Sequence, residues 1–108
     1  MCRRQHGSAH STYVQADAAA FAFVQGGEHV RDFASSPGVV RRFCALCGSK
    51  LTFVTAALPD RIWIAAGFFD DDPHVRPSYH IFVAAKAAWY EIGDDLPRHA
   101  AYPGQDAQ

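Results

Sequence analysis

Cys44 and Cys47, set in the run Phe43-Cys44-Ala45-Leu46-Cys47-Gly48, are the side chains whose types and spacing speak most directly of chemistry. Thiolates are soft ligands, and a tight backbone turn between them lets both sulfurs face one tetrahedral Zn2+. In such a knuckle, backbone amides point at sulfur and stabilise its negative charge. The residue after the second cysteine often takes positive φ, which Gly48 adopts without steric cost. A redox dithiol is a competing reading, but it requires the C-x-x-C to open a helix in a βαβ unit. Here Ser49 to Thr55 has the pattern of a strand. A third reading, a pair of buried inert thiols in a hairpin, assigns no chemistry at all. The residues favour zinc.

A tetrahedral structural zinc takes four ligands, so the knuckle supplies half of them. Cys2 is the remaining cysteine, and by spacing alone it could form a second half-site with His6 or His10. His29, His74, His80 and His99 are scattered. Isolated histidines more often sit at the surface or in a satisfied core than on a metal.

Other polar clusters read as scaffold. Asp70-Asp71-Asp72 has neither EF-hand spacing nor a downstream Glu, and fits a solvated turn after a strand. Arg3-Arg4 and Arg41-Arg42 could meet the carboxylates of an anionic cosubstrate, because a guanidinium fork suits them. Alternation along a strand puts Arg41 and Arg42 on opposite faces, so at most one of them serves any given site. Trp63, Phe68, Phe69, Phe82 and Trp89 fit a core or a dimer interface better than a ligand box. His80, just before Ile81-Phe82, could line a pocket, although burial with one hydrogen bond is the simpler expectation.

The elements that must position the knuckle are short strands. Turn residues recur about every ten positions: Gly26-Gly27, Ser35 to Gly38, Gly48, Pro59-Asp60, Gly67, Asp70 to Pro73, Pro77 and Gly93-Asp94. Between them, strands are expected over 11–15, 21–25, 29–34, 39–44, 50–55, 61–66 and 79–83. Arg61 to Ala66 is the most β-like run, with Ile62 and Ile64 on one face. Asp17 can cap a helical turn at 18–20, and 84–89 can form another. Residues 2–11 read as loop or one short turn, and 98–108 as a loose, flexible tail following a domain at 1–97. The fold class is all-β, mainly antiparallel.

Composition limits the function classes. The chain has 108 residues, 49% of them hydrophobic and 19% charged, with a formal net charge of −1 and three cysteines. One domain fits that length, burying roughly 65% of the surface an extended chain exposes. Its core is small enough that a metal site or a homodimer interface would help it. Near-neutral charge argues against a nucleic-acid binder and against a polybasic membrane patch. The longest strongly apolar run, Ile62 to Phe69, is too short to span a bilayer. With no apolar leader after Met1 and too few cysteines for a disulfide framework, the expected compartment is the cytoplasm.

In order and spacing, several motifs resemble the GFA family, named for glutathione-dependent formaldehyde-activating enzymes and including CENP-V-like proteins. They are Cys2-Arg3-Arg4 with Gly7-Ser8-Ala9, Ser35-Ser36-Pro37-Gly38-Val39, and Arg42-Phe43-Cys44 with Cys47-Gly48-Ser49. Ala66-Gly67 with Asp70-Asp71, His80-Ile81-Phe82, Lys86, Trp89 and Asp94-Asp95-Leu96-Pro97 follow in the second half. The resemblance implies a β-tent fold of paired antiparallel sheets with two zinc sites. It also implies a carbon–sulfur lyase activity that forms or cleaves S-hydroxymethylglutathione from formaldehyde and a small thiol, glutathione. Cys44 and Cys47 match the second cysteine pair of the structural site. Cys2 matches the last member of the catalytic C-x-C-x-x-C. The upstream C-x-C pairs of both sites have no counterpart in the sequence. The expectation is therefore a domain incomplete at its N-terminus, lacking its first hairpin and impaired in catalysis, with metal ligands Cys2, Cys44 and Cys47. A non-catalytic, zinc-ribbon-like protein-binding module is the alternative.

Overall fold

The computed structural model describes residues 2–103, with side chains from residue 4 onward. They fall into two compact units, Thr12–Pro73 and the pairing of Met1–Ser11 with His74–Gln108. The fold is all-β and mostly antiparallel, with almost no helix.

Thr12–Pro73 is built on five strands: β1 (Tyr13–Asp17), β2 (Val30–Ser36), β3 (Val39–Cys44), β4 (Lys50–Thr55) and β5 (Arg61–Ala65). They form one sheet in the order β1-β5-β4-β3-β2. Strands β2 to β5 follow one another as hairpins, and β1 adds to the free edge of β5. The first hairpin turns at Pro37-Gly38, where Gly38 has φ +77° and its carbonyl accepts the Ala56 amide at 2.8 Å. β-Branched and aromatic residues dominate β4 and β5, and they suit a pleated, buried surface.

The register fixes which side chains share a face. Val14, Ile62, Ile64, Thr52, Val54 and Val40 line one side; Tyr13, Gln15, Trp63, Phe53 and Arg41 line the other. Leu51, Phe53, Ile62, Trp63 and Ile64 are all buried, so β4 and β5 are covered on both faces and form the core of this unit. The Phe53 ring stacks on Trp63 at 5.0 Å and 3°, receives Tyr13 edge-on at 4.9 Å, and lies 5.1 Å beneath the Arg41 guanidinium. Each such aromatic pair contributes about 1 kcal/mol beyond the apolar area it buries.

Thr52 is buried at 3% exposure, and among the described residues its hydroxyl has no hydrogen-bond partner. A desolvated, unbonded hydroxyl costs about 1–3 kcal/mol. Thr52→Val keeps the branched shape that the strand prefers and removes that penalty. It is expected to stabilise the domain by about 1 kcal/mol, raising the melting temperature by about 5 °C. Thermal unfolding followed by circular dichroism checks this; a lower melting temperature would show that the hydroxyl is satisfied.

The other unit contains helix α1 (Cys2–His6), a 3-10 turn at Val83–Ala85 and an isolated parallel bridge between His80 and Arg98. Residues 98–101 run beside 80–84: His99 N–H donates to the His80 carbonyl at 2.9 Å, and Val83 N–H to that of His99 at 3.1 Å. The Phe82 ring meets Tyr102 edge-on at 4.8 Å.

The expected strands at 39–44, 50–55 and 61–66 are present within a residue, and those at 11–15 and 29–34 are shifted toward their C-terminal ends. The expected strand at 21–25 is not formed: among the described residues this segment joins no sheet. Its Phe21 and Phe23 rings pack on each other at 5.0 Å, leaving Val24 exposed. The expected strand at 79–83 is reduced to the single bridge, because Phe82 turns the backbone into the left-handed region at φ +55°. Asp17 precedes the 3-10 turn at Ala18–Ala20 without capping it, since its carboxylate takes the Arg61 guanidinium at 2.7 Å. Among the described residues one multi-stranded sheet forms rather than two paired ones.

Candidate metal centre

Strand β3 delivers Cys44 and β4 begins at Lys50, so the C-x-x-C occupies the tip of their hairpin. The register slips between Arg42 and Phe43, and this bulge bends the strand just before the first cysteine. The tip is closed by backbone hydrogen bonds from Cys44 N–H to the Ser49 carbonyl at 2.9 Å and from Gly48 N–H to the Cys44 carbonyl at 2.7 Å. Gly48 has φ +78°, and a Cβ there would meet nothing within 4 Å. Glycine is needed at that position for conformation, not for space. The Ala45 amide donates to the His29 carbonyl at 2.8 Å, tying the tip to the start of β2.

Cys44 is half-buried and Cys47 is exposed. The Cys47 sulfur lies 3.0 Å from the Ser49 hydroxyl. That hydroxyl, the Ser49 backbone amide and the Cys44 thiol hold the Cys47 thiol below its ordinary pKa, against a smaller opposing effect of burial. The Cys47 thiol is thus biased toward thiolate. The chain after Cys47 enters a strand, which removes the helix that a thioredoxin-like dithiol needs, and the exposure of Cys47 removes the buried-thiol reading.

The donor set fits zinc in part. Cys44 and Cys47 would occupy two of its four positions. Among the described residues no group of three or more His, Cys, Asp or Glu side chains gathers around a common point. Cys2 lies on α1, in the other unit, and its side chain is outside those described. His10 packs against Tyr90 at 5.1 Å. The His29 backbone touches the knuckle, while its ring faces Glu28 at 3.4 Å.

Sequence reasoning did not anticipate the Ser49 hydroxyl against the Cys47 sulfur. Ser49 and Lys50 line an open cavity of about 340 Å³ together with Ala65, Gly67 and Phe68. A hydroxyl two residues after the second cysteine was the available signal. A second, larger cavity of about 600 Å³ lies over Val40, Val54 and Ile62, with Arg42 and Phe21 at its margins.

A different polar pair organises the other unit. His80 Nε2 donates to both carboxylate oxygens of Asp94, at 2.9 and 3.1 Å. The same carboxylate accepts the Leu96 amide at 3.0 Å, and Arg98 binds the Asp94 carbonyl at 2.9 Å. The His80 hydrogen bond, then the Leu96 amide, hold the Asp94 carboxyl below its usual range. A carboxyl with a lowered folded pKa contributes stability above its unfolded value, and that contribution is lost as pH falls through the folded value. Asp94→Asn should therefore speed hydrogen exchange at the Leu96 and His99 amides near neutral pH. The difference from the parent should shrink as acid protonates Asp94. Equal exchange in both proteins at neutral pH would mean that the pair holds nothing in place.

An all-β domain carrying a cysteine knuckle on a hairpin tip is the class this geometry defines. The sequence profile of the glutathione-dependent formaldehyde-activating enzyme family, GFA, matches residues 1–85, and the chain belongs to that family. No curated protein matches it. A crystal structure of a Rhodobacter sphaeroides protein superposes with a TM-score of 0.57 at 18% identity, a likeness of fold. That match covers 71% of this chain and 65% of the other, so the chain spans less than two thirds of that protein's length. Among the described residues, no helix is long and apolar enough to cross a membrane.

Proposed function

We propose that this GFA-family chain is a zinc-binding carbon–sulfur lyase of small thiol adducts, with Cys44 and Cys47 holding a structural zinc. The placement of the C-x-x-C on a hairpin tip that Gly48 closes at φ +78° supports the metal reading above all. Membership of the family supports S-hydroxymethylglutathione, formed from glutathione and formaldehyde, as the adduct. Bound at the knuckle, zinc would supply a cross-link between β3 and β4 and keep both thiols deprotonated. The chain's own part is to set the sulfurs: the bulge at Arg42/Phe43 aims Cys44, Gly48 closes the turn, and the Ser49 hydroxyl and amide stabilise charge on Cys47. The lyase chemistry belongs to a second centre, for which Cys2 is the matching residue. The cytoplasm, with its reduced thiols and its glutathione, is the compartment this reading requires.

A zinc-ribbon-like protein-binding module is the second reading, favoured by the exposure of Leu46 (73%) between the two cysteines. Metal analysis of the purified protein and NMR of formaldehyde consumption test both. Zinc that is lost in Cys44→Ser, with glutathione-dependent consumption above the spontaneous rate, supports the lyase. Zinc without any acceleration leaves the binding module, and absence of zinc from the parent protein rejects both.

A further inference from the structure

Of the two adjacent arginines suited to an anion, Arg41 is committed: its guanidinium lies over Phe53 at 5.1 Å and donates to the Ser35 hydroxyl at 3.1 Å. Arg42 points to the opposite face of the sheet, where it borders the cavity of about 600 Å³. Val40, Val54 and Ile62 floor that cavity, and Phe21 stands at its margin. Its volume is that of a small-molecule site, roughly 300–1,000 Å³. Arg42 is held loosely. Its Nε lies 3.4 Å from the Asp32 carboxylate, and the two side chains are 32% and 65% exposed. On the same sheet Arg61 closes on Asp17 at 2.7 Å, the length of a charge-assisted hydrogen bond. The Asp32 contact falls short of that, so the Arg42 fork can take a second carboxylate.

We propose that this groove binds an amphipathic monocarboxylate of the medium-chain fatty-acid class, with its carboxylate on Arg42 and its hydrocarbon over Val40, Val54 and Ile62. Charge complementarity selects the head group. Among the described residues Arg42 is the one charged side chain that lines the groove, and a planar guanidinium matches a carboxylate bidentately. The Asp32 carboxylate beside it disfavours a dianion such as a phosphate monoester, because like charges repel. The apolar floor selects the tail. From Arg42 back to the turn at Gly38 the backbone covers about 13 Å, a span suited to an extended chain such as decanoate. That turn is at the opposite end of β3 from Cys44, so neither a thiol nor a metal takes part. The inference therefore stands independently of zinc.

The test titrates decanoate into the full chain, fully reduced, and follows binding by calorimetry and by NMR of the methyl groups. One decanoate per chain, saturating below about 1 mM, with shifts centred on Val40, Val54 and Ile62, is the expected result. Decanol, equally long but uncharged, should bind at least tenfold more weakly. Arg42→Gln should bring decanoate down to the level of decanol and leave the melting temperature nearly unchanged, since the exposed pair it breaks contributes little. Asp32→Asn keeps the side-chain shape, removes the competing charge and should tighten decanoate about threefold. Ala34 is exposed and lines the groove, so Ala34→Trp should block both probes. Decanoate and decanol that bind alike, or full decanoate affinity in Arg42→Gln, overturn the proposal. Absence of saturable binding overturns it as well. Shifts of the groove methyls that follow protein concentration without decanoate assign the face to a second copy and overturn it too.

Discussion

Cys44→Ser is expected to abolish zinc binding and to lower the melting temperature of the zinc-loaded protein by about 20 °C. A ligand that binds only the folded state stabilises it by about 4 kcal/mol when its free concentration is a thousandfold above the dissociation constant. In a domain of this size each kcal/mol is worth about 5 °C. Serine is nearly the same size as cysteine, so the packing of the half-buried Cys44 hardly changes and the loss reports the metal. A chelator should bring the parent protein down by the same amount and leave Cys44→Ser where it is. Cys47→Ser should behave alike in zinc, although its exposed side chain contributes nothing to packing. If both variants melt with the parent, in zinc and in chelator alike, the sulfurs hold no metal.

Trp63→Ala should be the most damaging change away from the knuckle. Trp63 is 9% exposed, stacks flat on Phe53 and stands on β5 between β1 and β4. Truncating a buried tryptophan costs about 3–5 kcal/mol, since the cavity it leaves closes only in part. Small domains have about 5–15 kcal/mol in all, so this variant should be partly unfolded at 37 °C. Urea unfolding measures the loss. Val24→Ala is the matched control: Val24 is 99% exposed, and its truncation should change nothing measurable. In the Trp63→Ala, Phe53→Ala cycle, a coupling of about 1 kcal/mol is expected from the stacked pair. Zero coupling would mean that the rings share a face without attracting one another.

The knuckle was legible in the sequence because everything that shapes it is local. Cys44, Cys47 and Gly48 lie within one turn, and the strands on either side announce themselves by β-branched and aromatic residues. The segment Phe21 to Gln25 misled for the opposite reason. Its residues suit a strand, but propensity supplies no neighbour, and among the described residues 21–25 joins neither edge strand of the sheet, β1 or β2. Phe82 was similarly opaque: its type favours extended backbone, yet it lies at φ +55°, beside the 3-10 turn that follows it. His80 and Asp94 are far apart in sequence, and no periodicity links them.

What the sequence determined unaided was the all-β class, the hairpin bearing the dithiol and the family motifs in their order. Each depends on residues within a few positions of one another, where propensity and turn chemistry act. Tertiary structure decided which edge β1 takes, that β4 and β5 are buried on both faces, and that His80 meets Asp94. Those outcomes depend on register and on long-range pairing. A shift of one residue exchanges the faces of a strand, and only the assembled sheet selects between them.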